Sequence, residues 1–224
     1  MIETGVLFDD IHSFRDLNLV LAPFVLPPAK PKTNYFDVPG RDGSIDATEA
    51  TGEVKYNDRE FSFTFTVFPQ DELTFEERQT VVSNALNGKR CKITIEKDPD
   101  YYLEGRCTVN EHFANKRLRQ IVVSVRIAPY KLKHQETVET FDLVKSEKRT
   151  ITLTNGKKRV VPLILVSKGY VYVSFDGYRK LFSSSSTQYK DLNIRLKEGA
   201  NTLTLEAMSL GDATVEFTYQ EGDL

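Results

Sequence analysis

Few residues in this chain have the types and spacing that chemistry requires. The thiols are Cys91 and Cys107, and the imidazoles His12, His112 and His134 are scattered along the sequence. No Cys-x-x-Cys spacing is present, so the ligand set is too thin for a zinc site. A nucleophile needs a base within reach, and Cys91 with His112 is the thiol–imidazole pairing that could be drawn. Both thiols fall in strand-like segments, where cysteine ordinarily serves as a small buried apolar residue. No Gly-x-Ser-x-Gly elbow, Walker-type loop, Gly-x-Gly-x-x-Gly or His-Glu-x-x-His occurs. Asp98 and Asp100 flank Pro99 without the ligand array of a calcium loop and read as a solvated turn. Arg41-Asp42-Gly43 matches an adhesion-type tripeptide, which is too short to carry weight. The sequence therefore predicts no catalytic residues, no cofactor and no metal.

Composition narrows the classes further. The chain has 224 residues, 40% hydrophobic and 28% charged, enough for one large β domain or two ordinary ones. It contains no apolar run of about 18 residues, which excludes a transmembrane helix. Lys and Arg (30) nearly balance Asp and Glu (32), a net charge of −2 that argues against a protein built to grip phosphates. The start, Met1-Ile2-Glu3-Thr4-Gly5, lacks a basic and apolar leader, so synthesis and folding in a cytoplasm are expected. Tryptophan is absent, leaving 14 Phe and 10 Tyr to fill any aromatic core.

The positioning elements read as follows. Two short strands in the first 28 residues lead into a proline-punctuated crossing through Pro27, Pro28 and Pro31. Asp37 to Asp46 is a turn cluster, with Pro39-Gly40 followed by Asp42-Gly43. Gly52 to Phe68 reads as strand, turn at Tyr56–Arg59, strand, and Phe61, Phe63, Phe65 and Val67 alternate with small polar residues. Thr74-Phe75-Glu76-Glu77 is a capping box that opens a helix over 74–87, with Phe75, Val82, Ala85 and Leu86 on one face and Gly88 as its C-terminal stop. Arg90–Lys97 and Tyr101–Glu111 form a hairpin. If Lys97 faces Tyr101, Cys91 lies opposite Cys107, either as two buried thiols or as a disulfide that a reducing compartment disfavours. A strand over 120–128 closes the first part. Later signals are all β: an Asn155-Gly156 hairpin, a second at Asp176-Gly177 after Tyr170–Val173, a loop at Ser183–Ser186, and strands at Asn193–Leu196, Asn201–Leu205 and Thr214–Tyr219. Lys157-Lys158-Arg159 reads as a solvated strand edge.

Taken in order, several segments resemble the distal tail protein (Dit) family of bacteriophages with long non-contractile tails. They are Gly5 through Ser13 with Asp16–Leu19, Val38–Asp46, Tyr56–Arg59 with the aromatic strand, Tyr101–Arg106, Ala128–Lys131, Thr154–Gly156, and Glu198–Leu203. The resemblance implies a mainly β protein: an N-terminal β-rich belt domain with one α-helix and a β-hairpin over 1–135, then a C-terminal galectin-like antiparallel β-sandwich over 136–224. It implies a structural role in a phage or prophage tail tip. Six copies would form a homo-hexameric ring, single or stacked, beneath the tail tube protein and above a tail-associated lysin or tail fibre protein, with a receptor-binding protein in some phages. DNA would pass through the ring without specific binding, no membrane would be engaged, and assembly would occur in the host cytoplasm.

A closed ring needs two complementary patches per subunit. The expected inter-subunit contact loop is Asp37, Pro39, Gly40, Arg41, Asp42, Gly43 and Asp46, because its glycines permit backbone angles that other residues avoid. The competing reading is an ordinary surface turn. A second functional reading is a carbohydrate-binding protein acting through the C-terminal sandwich, where Tyr170, Tyr172, Phe175 and Tyr178 cluster around one hairpin.

Overall fold

The computed structural model describes residues 5–67, 72–115 and 119–224, and for residues 111–115 the backbone only. The Met1–Thr4 start, Phe68 and the His112 imidazole therefore lie outside the described residues. The chain divides into two compact units, Met1–Lys131 and Leu132–Leu224. Both are antiparallel β, with one α-helix among the described residues.

The first unit runs β1 (Val6–Phe8), β2 (Ile11–His12), β3 (Leu19–Leu21), β4 (Tyr35–Phe36), β5 (Ile45–Asp46), β6 (Arg59–Val67), α1 (Phe75–Leu86), β7 (Arg90–Ile95), β8 (Tyr101–Asn115) and β9 (Gln120–Ile127). Seven of these strands hydrogen-bond in the order β2-β1-β7-β8-β9-β6-β3. Period-2 alternation decides the inner face: Phe63, Phe65, Val109, Ile121, Val123 and Val125 are buried, while Glu60, Ser62, Thr108 and Arg126 face outward. Phe8 and Phe24 close edge-on against Phe63, with ring centroids 6.0 and 5.0 Å away. Each fully buried Phe is worth about 2–3 kcal/mol.

Helix α1 forms as its capping box predicts: Glu77 N donates to Thr74 Oγ1 at 3.3 Å, and Thr74 N donates to Glu77 Oε2 at 2.9 Å. It buries Phe75, Val82 and Leu86 in the same core. Gly88 stops it at φ +74°, and Val109 N donates to Asn87 Oδ1 to stitch the helix end to β8.

Four local expectations are corrected in this unit. The N-terminal segment carries three short strands rather than two. Gly52–Lys55 is no strand; Tyr56 bridges Pro31, and the ladder begins at Arg59. The β7–β8 register pairs Arg90 with Arg106 and Cys91 with Gly105. The turn takes all of Glu96–Asp100, because Asp98 N bonds back to Ile95 O and Tyr101 N to Asp98 O. Cys107 therefore lies diagonal to Cys91, and both are free buried thiols.

Strand β10 (Lys131–Lys133) begins on the last residue of the first unit, and the second unit continues with β11 (Thr137–Leu143), β12 (Lys148–Asn155), β13 (Leu163–Lys168), β14 (Tyr170–Phe175), β15 (Tyr178–Ser183), β16 (Tyr189–Lys190), β17 (Gly199–Ala207), β18 (Ala213–Tyr219) and β19 (Gly222–Asp223). Two four-stranded sheets, β11-β18-β13-β16 and β12-β17-β14-β15, share one apolar core built from Leu153, Val171, Leu205, Val215 and Phe217 among others. The Asp176-Gly177 turn forms as expected, with φ +46° and +80°.

Asn155-Gly156 does not make a hairpin. Strand β12 pairs with β17 throughout, and β13 belongs to the opposite sheet. The Asn155 amide is buried, donating to Lys158 O at 2.8 Å, so it fastens a crossing between sheets. Lys157–Arg159 lies in that crossing rather than on a strand edge, and Lys157 Nζ meets Glu198 at 2.6 Å. Asn193–Leu196 is also no strand. Asn193 donates through its backbone N–H and its amide to Asp191, and only Leu196 bridges to Val160.

Candidate assembly interface

Residues 30–57 leave the core as a hairpin arm. At its stem Lys32 N donates to Lys55 O at 2.7 Å and Asn57 N to Lys30 O at 2.9 Å. Further out Ala47 N donates to Asn34 O, and the β4–β5 pair matches Tyr35 with Asp46 and Phe36 with Ile45. The tip is closed by Arg41 N to Val38 O at 3.1 Å and by Ser44 Oγ to Asp37 Oδ1 at 2.5 Å. Gly40 and Gly43 sit at φ +80° and +73°, angles that a side chain would strain. Asp46 caps the turn beyond β5: Thr48 N donates to its Oδ1 at 2.9 Å, and the hydrogen bonds from Thr48 hold its carboxyl below the ordinary range.

The structure therefore brings Asp37, Pro39, Gly40, Arg41, Asp42, Gly43 and Asp46 together at one exposed end of the arm. Sequence reasoning missed the apolar half of this surface. Tyr35 is 58% exposed, Phe36 52%, Val38 41% and Ile45 39%. No residue from Pro31 to Asp58 is buried. A two-stranded ribbon is at best marginally stable alone in water, and contiguous exposed apolar side chains mark interaction surfaces. The signal was present in Tyr35-Phe36 and Ile45 flanking a glycine-rich turn.

The arm's root is pinned by Arg59, which is 5% exposed and donates through Nη1 to Pro27 O at 3.4 Å. Its Nε and Nη2 have no partner within the described residues, and desolvation lowers its pKa.

The His12 imidazole and the two thiols are engaged elsewhere in the fold. His12, 4% exposed, accepts at Nδ1 from the backbone N–H groups of Phe14 and Arg15, and its Nε2 meets Glu96 at 2.9 Å. Both ring nitrogens are thus engaged within the fold. Burial raises the Cys91 thiol and pushes Cys107 up to about 12, so neither is poised as a thiolate. No group of three His, Cys, Asp or Glu residues able to hold a metal occurs among the described residues, and no helix there is long and apolar enough to cross a membrane.

In the second unit Phe175 is buried and Tyr178 packs on the core, donating to Asp191 at 3.0 Å. Tyr172 lies half-buried under the Arg179 guanidinium at 4.0 Å, and Tyr170 is 40% exposed.

Residues 12–217 match a family model described as the phage tail protein RIFT-related domain. No curated protein matches the chain. Among solved structures it is similar to the Dit protein of phage SPP1, described as a paradigm of the hub adsorption apparatus in phages infecting Gram-positive bacteria. The two share 13% identity at a TM-score of 0.65, over 97% of this chain and 98% of that one.

Proposed function

The chain belongs to the phage tail proteins with a RIFT-related domain, and from that membership we propose that it is the hub ring of the tail tip. The expected resemblance to distal tail proteins is borne out by the family match and by the shared fold. On this reading the protein is structural and has no catalytic activity. Six copies close into a ring through the Met1–Lys131 unit, which serves as the belt, while the Leu132–Leu224 sandwich, galectin-like in build, faces the tail-tip proteins. The tail tube protein lies on one side of the ring, and a tail-associated lysin or fibre protein with any receptor-binding protein on the other. DNA passes through without being gripped, in keeping with the modest charge of −2.

The single observation that carries the ring is the hairpin arm, which leaves Tyr35, Phe36, Val38 and Ile45 each about half exposed. The contact loop Asp37, Pro39, Gly40, Arg41, Asp42, Gly43 and Asp46 is its tip. Gold-labelled antibodies against this protein test the placement on intact virions. Label at the end of the tail distal to the capsid supports it; label along the tail tube, or on the capsid, overturns it.

A further inference from the structure

The outward face of the first unit's sheet carries a row of like charges. Arg90 on β7 stands directly opposite Arg106 on β8, and Arg106 directly opposite Arg126 on β9. Like charges in facing positions across strands oppose sheet formation. The flanking members are partly neutralised within the chain: Arg90 Nε meets Glu104 at 3.0 Å, and Arg126 Nε meets Asp58 at 3.1 Å and Glu60 at 3.6 Å. Arg106, in the middle, donates to the Gly88 carbonyl at 2.5 Å. Beside the row lies an open groove of about 690 Å³ whose lining includes Ser62, Thr108, Asn110 and Ser124. Ser62 and Ser124 bond to each other at 2.8 Å, and the Asn110 amide donates to Ser124.

The arm has the opposite character. Its outer part, residues 34–52, holds Asp37, Asp42, Asp46 and Glu49 against Arg41 alone, while Lys30, Lys32 and Lys55 stand at the stem. Its aromatic pair, Tyr35-Phe36, precedes Asp37, and Ile45 precedes Asp46. A guanidinium is the side chain that both stacks on an aromatic ring and forks onto a carboxylate. The segment from Lys30 to Val38, which includes β4, spans up to roughly 30 Å at about 3.3 Å per residue, enough to cross a face four strands wide.

We propose that the hairpin arm of one copy seats on the Arg90–Arg106–Arg126 row and the adjoining groove of a second copy. The arm's carboxylates answer the guanidinium row, and Tyr35, which shares a face of the ribbon with its cross-strand partner Asp46, stacks on it. The contact is heterologous, with arm and face on different parts of one subunit, as a closed ring requires. This inference rests on the ring reading and names the surfaces that make it.

Charge exchange tests it. Arg106→Glu, and separately Asp37→Arg with Asp42→Arg, are each expected to raise the concentration for half-assembly about 10- to 100-fold, and more steeply at low salt. The triple variant, with both signs reversed, is expected to recover most of that loss. Assembly unchanged by the single reversals, or a triple variant no better than either parent, overturns the arm-to-face contact while leaving the ring in place. A wild-type chain that stays monomeric at every concentration overturns both. Should a reversed variant fail to fold, Ser44→Cys with Thr108→Cys supplies an independent reading. A ladder of disulfide-linked species on a non-reducing gel supports the contact, and its absence from an assembled sample refutes it.

Discussion

Replacing Tyr35 and Phe36 together by serine separates a surface made for a partner from one made for the fold. The two rings are 58% and 52% exposed in the isolated chain. An aromatic side chain carries about 200 Å², so the pair leaves on the order of 200 Å² uncovered. At about 25 cal/mol per Å² its complete burial would be worth up to about 5 kcal/mol per arm. Incomplete cover and the ordering of side chains at the contact reduce that by about half. A loss of about 2.5 kcal/mol weakens each contact roughly 70-fold. Unfolding of the core should barely respond, since neither ring packs in it. The assay pairs thermal unfolding with light scattering across a concentration series. An unchanged Tm with assembly shifted to much higher concentration is the expected result. A fall in Tm with assembly unaltered would show that the rings serve their own subunit, and the reasoning would fail.

Other consequences are smaller in scope. Gly105 in β8 has no room for a Cβ, which would stand 2.9 Å from the Ile127 Cα and closer still to the Arg126 carbonyl. Gly105→Ala should therefore cost about 1–3 kcal/mol, lowering the first unit's Tm by roughly 5–15 °C; an unchanged Tm would contradict the tight β8–β9 approach. In the second unit burial pushes the Asp191 carboxyl up. Lys180 at 2.7 Å, the Asn193 backbone and side chain, and Tyr178 outweigh it and hold the pKa down at about 2. A depressed carboxylate stabilises fully above its unfolded value of 3.8 and loses that contribution as pH falls toward 2. Discounted for the half-exposed Lys180, it is worth about 1–2 kcal/mol. Asp191→Asn should flatten the acid limb of the unfolding profile over that window, and an identical limb would sink the assignment. Cys91 and Cys107 should resist a thiol reagent at mildly alkaline pH until the chain unfolds, because burial keeps both protonated. Prompt labelling of the native chain would count against their placement.

What could be read in advance depended on whether the signal was local. The capping box at Thr74 and Glu77 closes within one turn, so the helix followed from four residues. Phe63, Phe65 and Val67 declare their face by alternation alone. The Asp176-Gly177 turn joins strands that pair with each other, and there the turn residues told the truth. Asn155-Gly156 carries the same chemistry, yet β12 finds its partner in β17, more than forty residues later. Turn propensity cannot report that kind of pairing. The β7–β8 register slipped for a related reason: hydrogen bonds within Glu96–Asp100 lengthen the turn, and no periodicity in the strands reveals it. At the candidate interface the glycines and aspartates of the tip were legible as a turn. That Tyr35, Phe36, Val38 and Ile45 would stay half exposed was not, because exposure depends on what the remaining chain leaves unoccupied. Arg59 looked like the end of a turn and proved to be a buried guanidinium at the arm's root.

The hub reading requires that copies of this chain close on one another. Absolute mass by light scattering behind size exclusion, over a wide concentration range, addresses it most directly. With a subunit of 25.5 kDa, a closed six-membered ring predicts a species of about 150 kDa, or twice that for stacked rings, growing at the expense of monomer as concentration rises. A mass that stays at 25.5 kDa throughout would rule the ring out.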